Sequence, residues 1–216
     1  DSSSSRGLGD VYKRQNDTSF DTIYHEHFSY WSLENLINLF TKYGLNIFDA
    51  CLMSVHHGQL RIYMSKSKKY KKSKLLNDLL KKEKNENLIG EKLSLFCKNV
   101  LDIKENLLDL FEKISKEGKK ICGYGAPAKA STLINFIGNN NLEFIYDKSK
   151  LKQGKYIPGT GIKIKDPFEI KGDSPDYIFL FAWNFSKEII NDLRNNYSFK
   201  GKLIIPIPEL NIINIG

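Results

Sequence analysis

The chain has 216 residues, 41% hydrophobic and 27% charged, enough for one large or two small domains with a real core, which excludes a disordered or collagen-like polypeptide. No run approaches the roughly 18–20 consecutive apolar residues of a membrane span, and no apolar block follows a basic N-terminus as in a signal peptide, so the sequence reads as soluble and cytoplasmic. The 33 Lys and Arg against 25 Asp and Glu leave a net charge of +8, but almost all of it is lysine rather than the arginine of base readout, so nucleic acid is not expected as a partner.

Residues 1–15 (DSSSSRGLGDVYKRQ) carry a Ser run and no hydrophobic period of either kind before an abrupt start of globular patterning. They resemble the conceptual translation of a sequencing-library adapter and are expected to be non-native, with the native sequence starting near Asn16; the plainer reading is a disordered tail. Phe20-Asp21-Thr22-Ile23-Tyr24-His25-Glu26-His27 reads as a strand end or the loop beyond it. Ser32 can cap a helix carrying Leu33, Leu36, Ile37 and Phe40 at helical spacing, with Gly44 as its left-handed stop. Strands are predicted at Leu45–Phe48 and Leu60–Met64, on either side of the turn-like His56-His57-Gly58-Gln59. Residues 16–66 are thus a β-α-β-β succession.

Nine lysines lie between Lys66 and Lys84, after which a helical period runs through Leu88, Leu95, Val100, Leu107, Leu108 and Phe111 to a stop at Gly118. Residues 67–118 are read as a helical connector. From 119 to 216 strands alternate with helices: a strand into Gly123, a Gly turn with Pro127 in the first turn of a helix, strands at 142–146 and 177–181, a helix at 186–193 and a strand at 203–205. The fold class is α/β with a mostly parallel, Rossmann-like sheet. Cys51, Cys97 and Cys122 stand far apart, offer neither a CxxC metal pattern nor a disulfide framework, and are expected to be reduced.

Two constellations could carry chemistry. Tyr24, His25, Glu26 and His27 place a phenol, a carboxylate and two imidazoles in four consecutive residues, a proton-transfer cluster in which either histidine could be the base. Ordinary packing of one histidine with the other exposed accounts for the same residues equally well; a metal held by His25 and His27 does so less economically, since no further ligands stand at a recognisable spacing. Gly123-x-Gly125-x-x-Ala128, with Asp147 about twenty residues on, has the outline of a dinucleotide fingerprint. Pro127 removes one of the amides such a site uses, so the alternative of an NAD(P)-dependent or nucleotide-binding protein stands beside a turn that needs glycine for geometry alone.

Phe20-Asp-Thr-Ile-Tyr-His-Glu-His-Phe-Ser-Tyr-Trp-Ser-Leu33, His56-His-Gly-Gln-Leu-Arg61, Gly123-Tyr-Gly-Ala-Pro-Ala-Lys129, Lys152-Gln-Gly-Lys-Tyr-Ile-Pro-Gly-Thr160, Trp183-Asn-Phe185 and Ile205-Pro-Ile-Pro-Glu209 together resemble the S-adenosylmethionine-dependent sugar C-methyltransferases of deoxysugar biosynthesis. The resemblance implies a three-part enzyme: a zinc-binding N-terminal domain, a central methyltransferase domain with the cofactor loop, and a C-terminal Rossmann-like domain. Under it, residues 16–66 are the end of the central domain and 119–216 the last domain, no cofactor-binding or metal-binding residue lies in this chain, and the fragment alone would be inactive. It implies a nucleotide-linked keto-sugar as substrate, with His27 as the base that takes a proton beside the ketone and Tyr24 and Glu26 as hydrogen-bonding partners. His56 matches a family histidine, although His57 and Gln59 replace a Gly and a Ser of that loop. Gly123, Tyr124, Gly125 and Lys129 are expected to help hold the substrate's nucleotide or a comparable acidic group. The oligomeric state is left open.

Overall fold

The computed structural model describes residues 9–27, 29–53, 59–138 and 141–216. The chain divides into two compact units: residues up to Ser19 with His25–Asn99, and Phe20–Tyr24 with Val100–Gly216. The division falls inside a long helix.

The first unit opens with β1 (Gly9–Asp10) and α1 (Val11–Asn16), followed by β2 (Tyr30–Trp31), α2 (Leu33–Lys42), β3 (Asn46–Met53), β4 (Gln59–Ser65) and α3 (Lys74–Glu86). The four strands form a sheet in the order β2-β1-β4-β3. Within the segment 1–15, expected to stand outside the fold, Gly9 and Asp10 lie in parallel register with Tyr30 and Trp31. The amphipathic faces of α2 and α3 close on β3 through Leu33, Leu36, Ile47, Ala50, Leu76 and Leu79, the helical and strand periods meeting in one core.

The start of α2 is held from two directions. Ser32 caps it as its position predicts, its hydroxyl accepting from the Asn35 amide at 3.2 Å. The sequence did not announce the second partner, Glu83 of α3, which is 5% exposed. Its carboxylate accepts from the Leu33 and Glu34 amides at 2.5 and 2.9 Å. A carboxylate on first-turn amides satisfies orphan donors and complements the positive end of the helix dipole. Glu83→Ala is therefore expected to cost about 2–3 kcal/mol, read as a lowered denaturant midpoint; a change below about 0.5 kcal/mol would refute this role.

The expected connector resolves into α3 and α4 (Glu91–Lys116). They are separated at Asn87, which takes a left-handed conformation at φ 44°, and the lysine run before Ser73 is not helical. Ser73 caps α3 by accepting from the Leu76 amide at 3.0 Å.

The second unit carries β5 (Ile121–Tyr124), α5 (Ala128–Ile137), β6 (Phe144–Tyr146), β7 (Lys163–Lys165), α6 (Ile170–Asp173), β8 (Tyr177–Leu180), α7 (Ser186–Asn195), β9 (Lys202–Ile205) and β10 (Asn211–Asn214). The sheet runs β10-β9-β8-β5-β6-β7; every pair is parallel except β10 on β9. This is the α/β fold the alternation predicts, with β7 and the antiparallel edge β10 added. Strand β5 is buried throughout, as a central parallel strand covered on both faces must be. Its Cys122 thiol is pushed up to about 12 by burial. All three cysteines are free. No helix among the described residues is long and apolar enough to cross a membrane.

Candidate active-site segment and the crevice of the parallel sheet

The chain order of the strands reverses between β5 and β8. Successive crossovers lead from β5 outward to β6 and β7 on one side, and from β8 outward to β9 on the other. In open parallel sheets ligands bind at this reversal, beyond the carboxyl ends of the strands. Gly125–Lys129 follows β5 there, and Phe181–Trp183 follows β8. A cavity of about 490 Å³ lies at the other end of the sheet, lined by Lys119, Asp176, Tyr177, Gly201 and Lys202, where the strands begin and where this architecture does not place chemistry.

The Gly turn is built for packing. A Cβ on Gly123 would stand 2.6 Å from Ile145 and 2.8 Å from the Phe181 ring, and Gly125, at φ +86°, would bring one to 2.9 Å from Ala182 Cβ. Tyr124 is 3% exposed within the core of this unit, its phenol raised above its ordinary range by burial. Gly123 and Tyr124, expected to help hold the substrate's nucleotide or a comparable acidic group, are interior residues of β5.

The amides of the turn are already committed. Gly125 donates to the Tyr146 carbonyl at 2.7 Å, Ala126 donates to Asp147 Oδ2 at 2.6 Å, and Pro127 has no amide hydrogen. The other Asp147 oxygen accepts from the Ser149 amide at 2.8 Å. Lys152 ties the two strands of the motif together, its ammonium 2.9 Å from the Ala126 carbonyl and 3.5 Å from Asp147 Oδ2. In a dinucleotide site the acidic residue is free for the ribose hydroxyls and the turn amides face the pyrophosphate. Here the acid braces the turn, and the NAD(P) alternative loses both features that motivated it. The same geometry does not fit an adenosyl cofactor at this turn.

What fills the crevice is the chain itself. Phe20–Thr22 forms a single 3-10 turn whose Asp21 is completely buried. Asp21 Oδ2 accepts from Trp183 Nε1 at 2.6 Å and lies 3.1 Å from Lys129 Nζ. The ammonium sits 4.0 Å from the centroid of the Trp183 ring, so the indole serves the pair through both its edge and its face. Burial lowers the Lys129 pKa, and Asp21 opposes that shift. Phe20 packs its ring on Phe136 of α5 with centroids 4.9 Å apart. Lys129, expected to meet a substrate anion, already has one.

Tyr24 closes this turn, half-buried, its amide donating to the Thr22 carbonyl at 3.1 Å. The next three residues belong to the first unit. There His25 and Glu26 are exposed and His27 is half-buried. The His27 pKa is lowered, first by burial and then by the Arg14 guanidinium, with Glu26 acting in the opposite direction. His56 falls in 54–58, outside the described residues. Among the described residues no group of three or more His, Cys, Asp or Glu could hold a metal ion.

Sequence reasoning missed Asp21, Trp183 and Lys152 as working residues. The signal was present for Asp21 alone: an acid between Phe20 and Ile23 that, once buried, needs a cation and donors.

The family model of the C-methyltransferase C-terminal domain matches residues 54–208. The chain is also similar to the C-methyltransferase NovU of Streptomyces niveus, with 33% identity over 199 residues, 90% of this chain and 47% of that protein. It thus spans about half the length of that curated relative.

Proposed function

Because the chain belongs to the C-methyltransferase C-terminal domain family, we propose that it is part of an enzyme that methylates a carbon next to a ketone in a nucleotide-linked sugar. The family implies S-adenosylmethionine as the methyl donor; its sulfonium supplies an electrophilic methyl group. No residue set in this chain is assigned to hold it, and its site is placed in the part of the relatives that the chain does not span. The same holds for the zinc expected of an N-terminal domain. The 216-residue chain alone is accordingly expected to be inactive.

The observation that carries the reading is His27, an imidazole kept toward its neutral form by partial burial in the stretch Tyr24-His25-Glu26-His27. A neutral imidazole is what a base needs to take a proton from carbon beside a carbonyl. His27 takes that proton, and the electron pair of the C–H bond becomes an enolate. The Tyr24 phenol and Glu26 serve as hydrogen-bonding partners of the base or of the enolate oxygen, where donors count most because the charge develops there. With the donor bound, the enolate carbon would take the methyl group as the methyl–sulfur bond breaks and its electron pair stays on sulfur as a neutral thioether. His56 is assigned to the substrate side.

The test uses full-length protein, a nucleotide-linked keto-sugar and heavy water. Solvent deuterium is expected to enter the carbon beside the ketone without the methyl donor, and a labelled methyl group to appear on that carbon with it. Methyl transfer to oxygen or nitrogen, or no transfer across a panel of keto-sugars, would overturn the proposal.

A further inference from the structure

We propose that the crevice of the parallel sheet is a carboxylate seat occupied by the chain's own Asp21, and that Asp21 is a positioning residue fixing the backbone that carries Tyr24. The seat is assembled from both sides of the strand-order reversal. Lys129 comes from the helix after β5 and Trp183 from the segment after β8, and both converge on Asp21 Oδ2 at 3.1 and 2.6 Å. A cation and an indole N–H focused on one oxygen are the recognition elements of an anion site. This one needs an internal anion, because only 13% of the Lys129 side chain is exposed and a buried ammonium without a partner is costly. The backbone amides that would otherwise serve an external phosphate are spent on Asp147 and Tyr146.

The grip on Asp21 extends to Tyr24 through a short, internally bonded segment. Ile23 donates to the Phe20 carbonyl at 2.9 Å and Tyr24 to that of Thr22 at 3.1 Å. The Phe20 ring on Phe136 is the second point of attachment. Two anchors and two internal hydrogen bonds leave the Tyr24 Cα little freedom, and a catalytic phenol loses much of its effect when its position is loose. The importance of Tyr24 rests on the functional reading above; the seat itself does not.

The test measures amide hydrogen exchange in the 216-residue chain, which needs no substrate. Asp21→Ala is expected to raise exchange of the 20–24 amides by about ten-fold while those of β5 and β8 stay protected. Sodium formate, small enough to enter the vacated seat, is expected to restore protection saturably, and not to do so in the Asp21→Ala/Lys129→Met variant. Unchanged exchange at 20–24 in Asp21→Ala would overturn the proposal, as would a formate effect independent of Lys129. Should Asp21→Ala unfold the unit, Asp21→Leu/Lys129→Met removes both charges together. Fast exchange at 20–24 in that folded variant supports the seat, and retained protection refutes it. If the exchange results hold while Tyr24→Phe leaves methyl transfer by the full-length protein unchanged, the catalytic reading of Tyr24 fails and the seat stands.

Discussion

Replacing His27 by Gln in the full-length enzyme is expected to lower kcat by about 10²–10⁴-fold, the usual contribution of a positioned general base, whereas the same change at His25 costs far less. The two histidines are separated by one residue, but the structure treats them differently: His25 is exposed and His27 half-buried. Burial lowers the His27 pKa, the nearby Arg14 guanidinium lowers it further, and Glu26 partly offsets both. A base acts in its deprotonated form, so a lowered pKa moves the acidic limb of kcat/KM below the ordinary imidazole value of about 6.5. In the 216-residue chain, Arg14→Ala is expected to raise the His27 pKa toward the ordinary value without reaching it, because burial is the larger cause, read by NMR titration of the imidazole. Stability follows the same sign: the unfolded chain binds the His27 proton more readily, so this contribution is lost as pH falls from the unfolded value through the folded one. Equal losses at His25 and His27, or a loss confined to His25, would sink the assignment.

The parallel sheet was readable because its strands are short apolar runs set off by Gly and Pro, and because Gly123-x-Gly125 marks a tight strand-to-helix turn. The structure adds why those glycines stand there: Ile145, Phe181 and Ala182 leave no room for a Cβ. A one-dimensional pattern cannot separate that requirement from a phosphate cradle. The distinction came from Asp147, whose two oxygens are bonded to Ala126 and Ser149. The lysine-rich stretch misled in the other direction. The helical connector is read from residue 67 with its period beginning at Leu88, whereas Ser73 caps a separate helix α3 that left-handed Asn87 ends.

The acid–base stretch was legible from its residue types, since Tyr, Glu and His so close together are informative whatever the fold. Its support was not. Asp21 meets Trp183 across 162 positions and Lys129 across more than a hundred, and no local pattern encodes such a pairing. Lys129 was given to the substrate because a lysine at a helix start beside a Gly turn invites an anion. The expectation of an anion was sound chemistry; the structure supplies it from within the chain.

That internal pairing is expected to produce the largest stability effects in the molecule. Asp21 is fully buried, and truncating one partner of such a pair leaves the other uncompensated, so Asp21→Ala is expected to cost about 3–5 kcal/mol. Lys129→Ala should cost somewhat less, because 13% of its side chain reaches solvent and Trp183 Nε1 still serves the carboxylate. Asp21→Leu/Lys129→Met exchanges a desolvated ion pair for apolar packing, and such replacements are often neutral or stabilising by about 1–4 kcal/mol. The double variant is therefore expected to be more stable than either single, the opposite of additivity. Hydrogen exchange resolved to the second unit is the suitable measurement, since two units need not unfold together. Single losses below about 1 kcal/mol that simply add would show the pair to behave as a surface contact, against its burial. A stable double variant with mobile 20–24 amides would show that the charges are kept for the register of this segment rather than for stability.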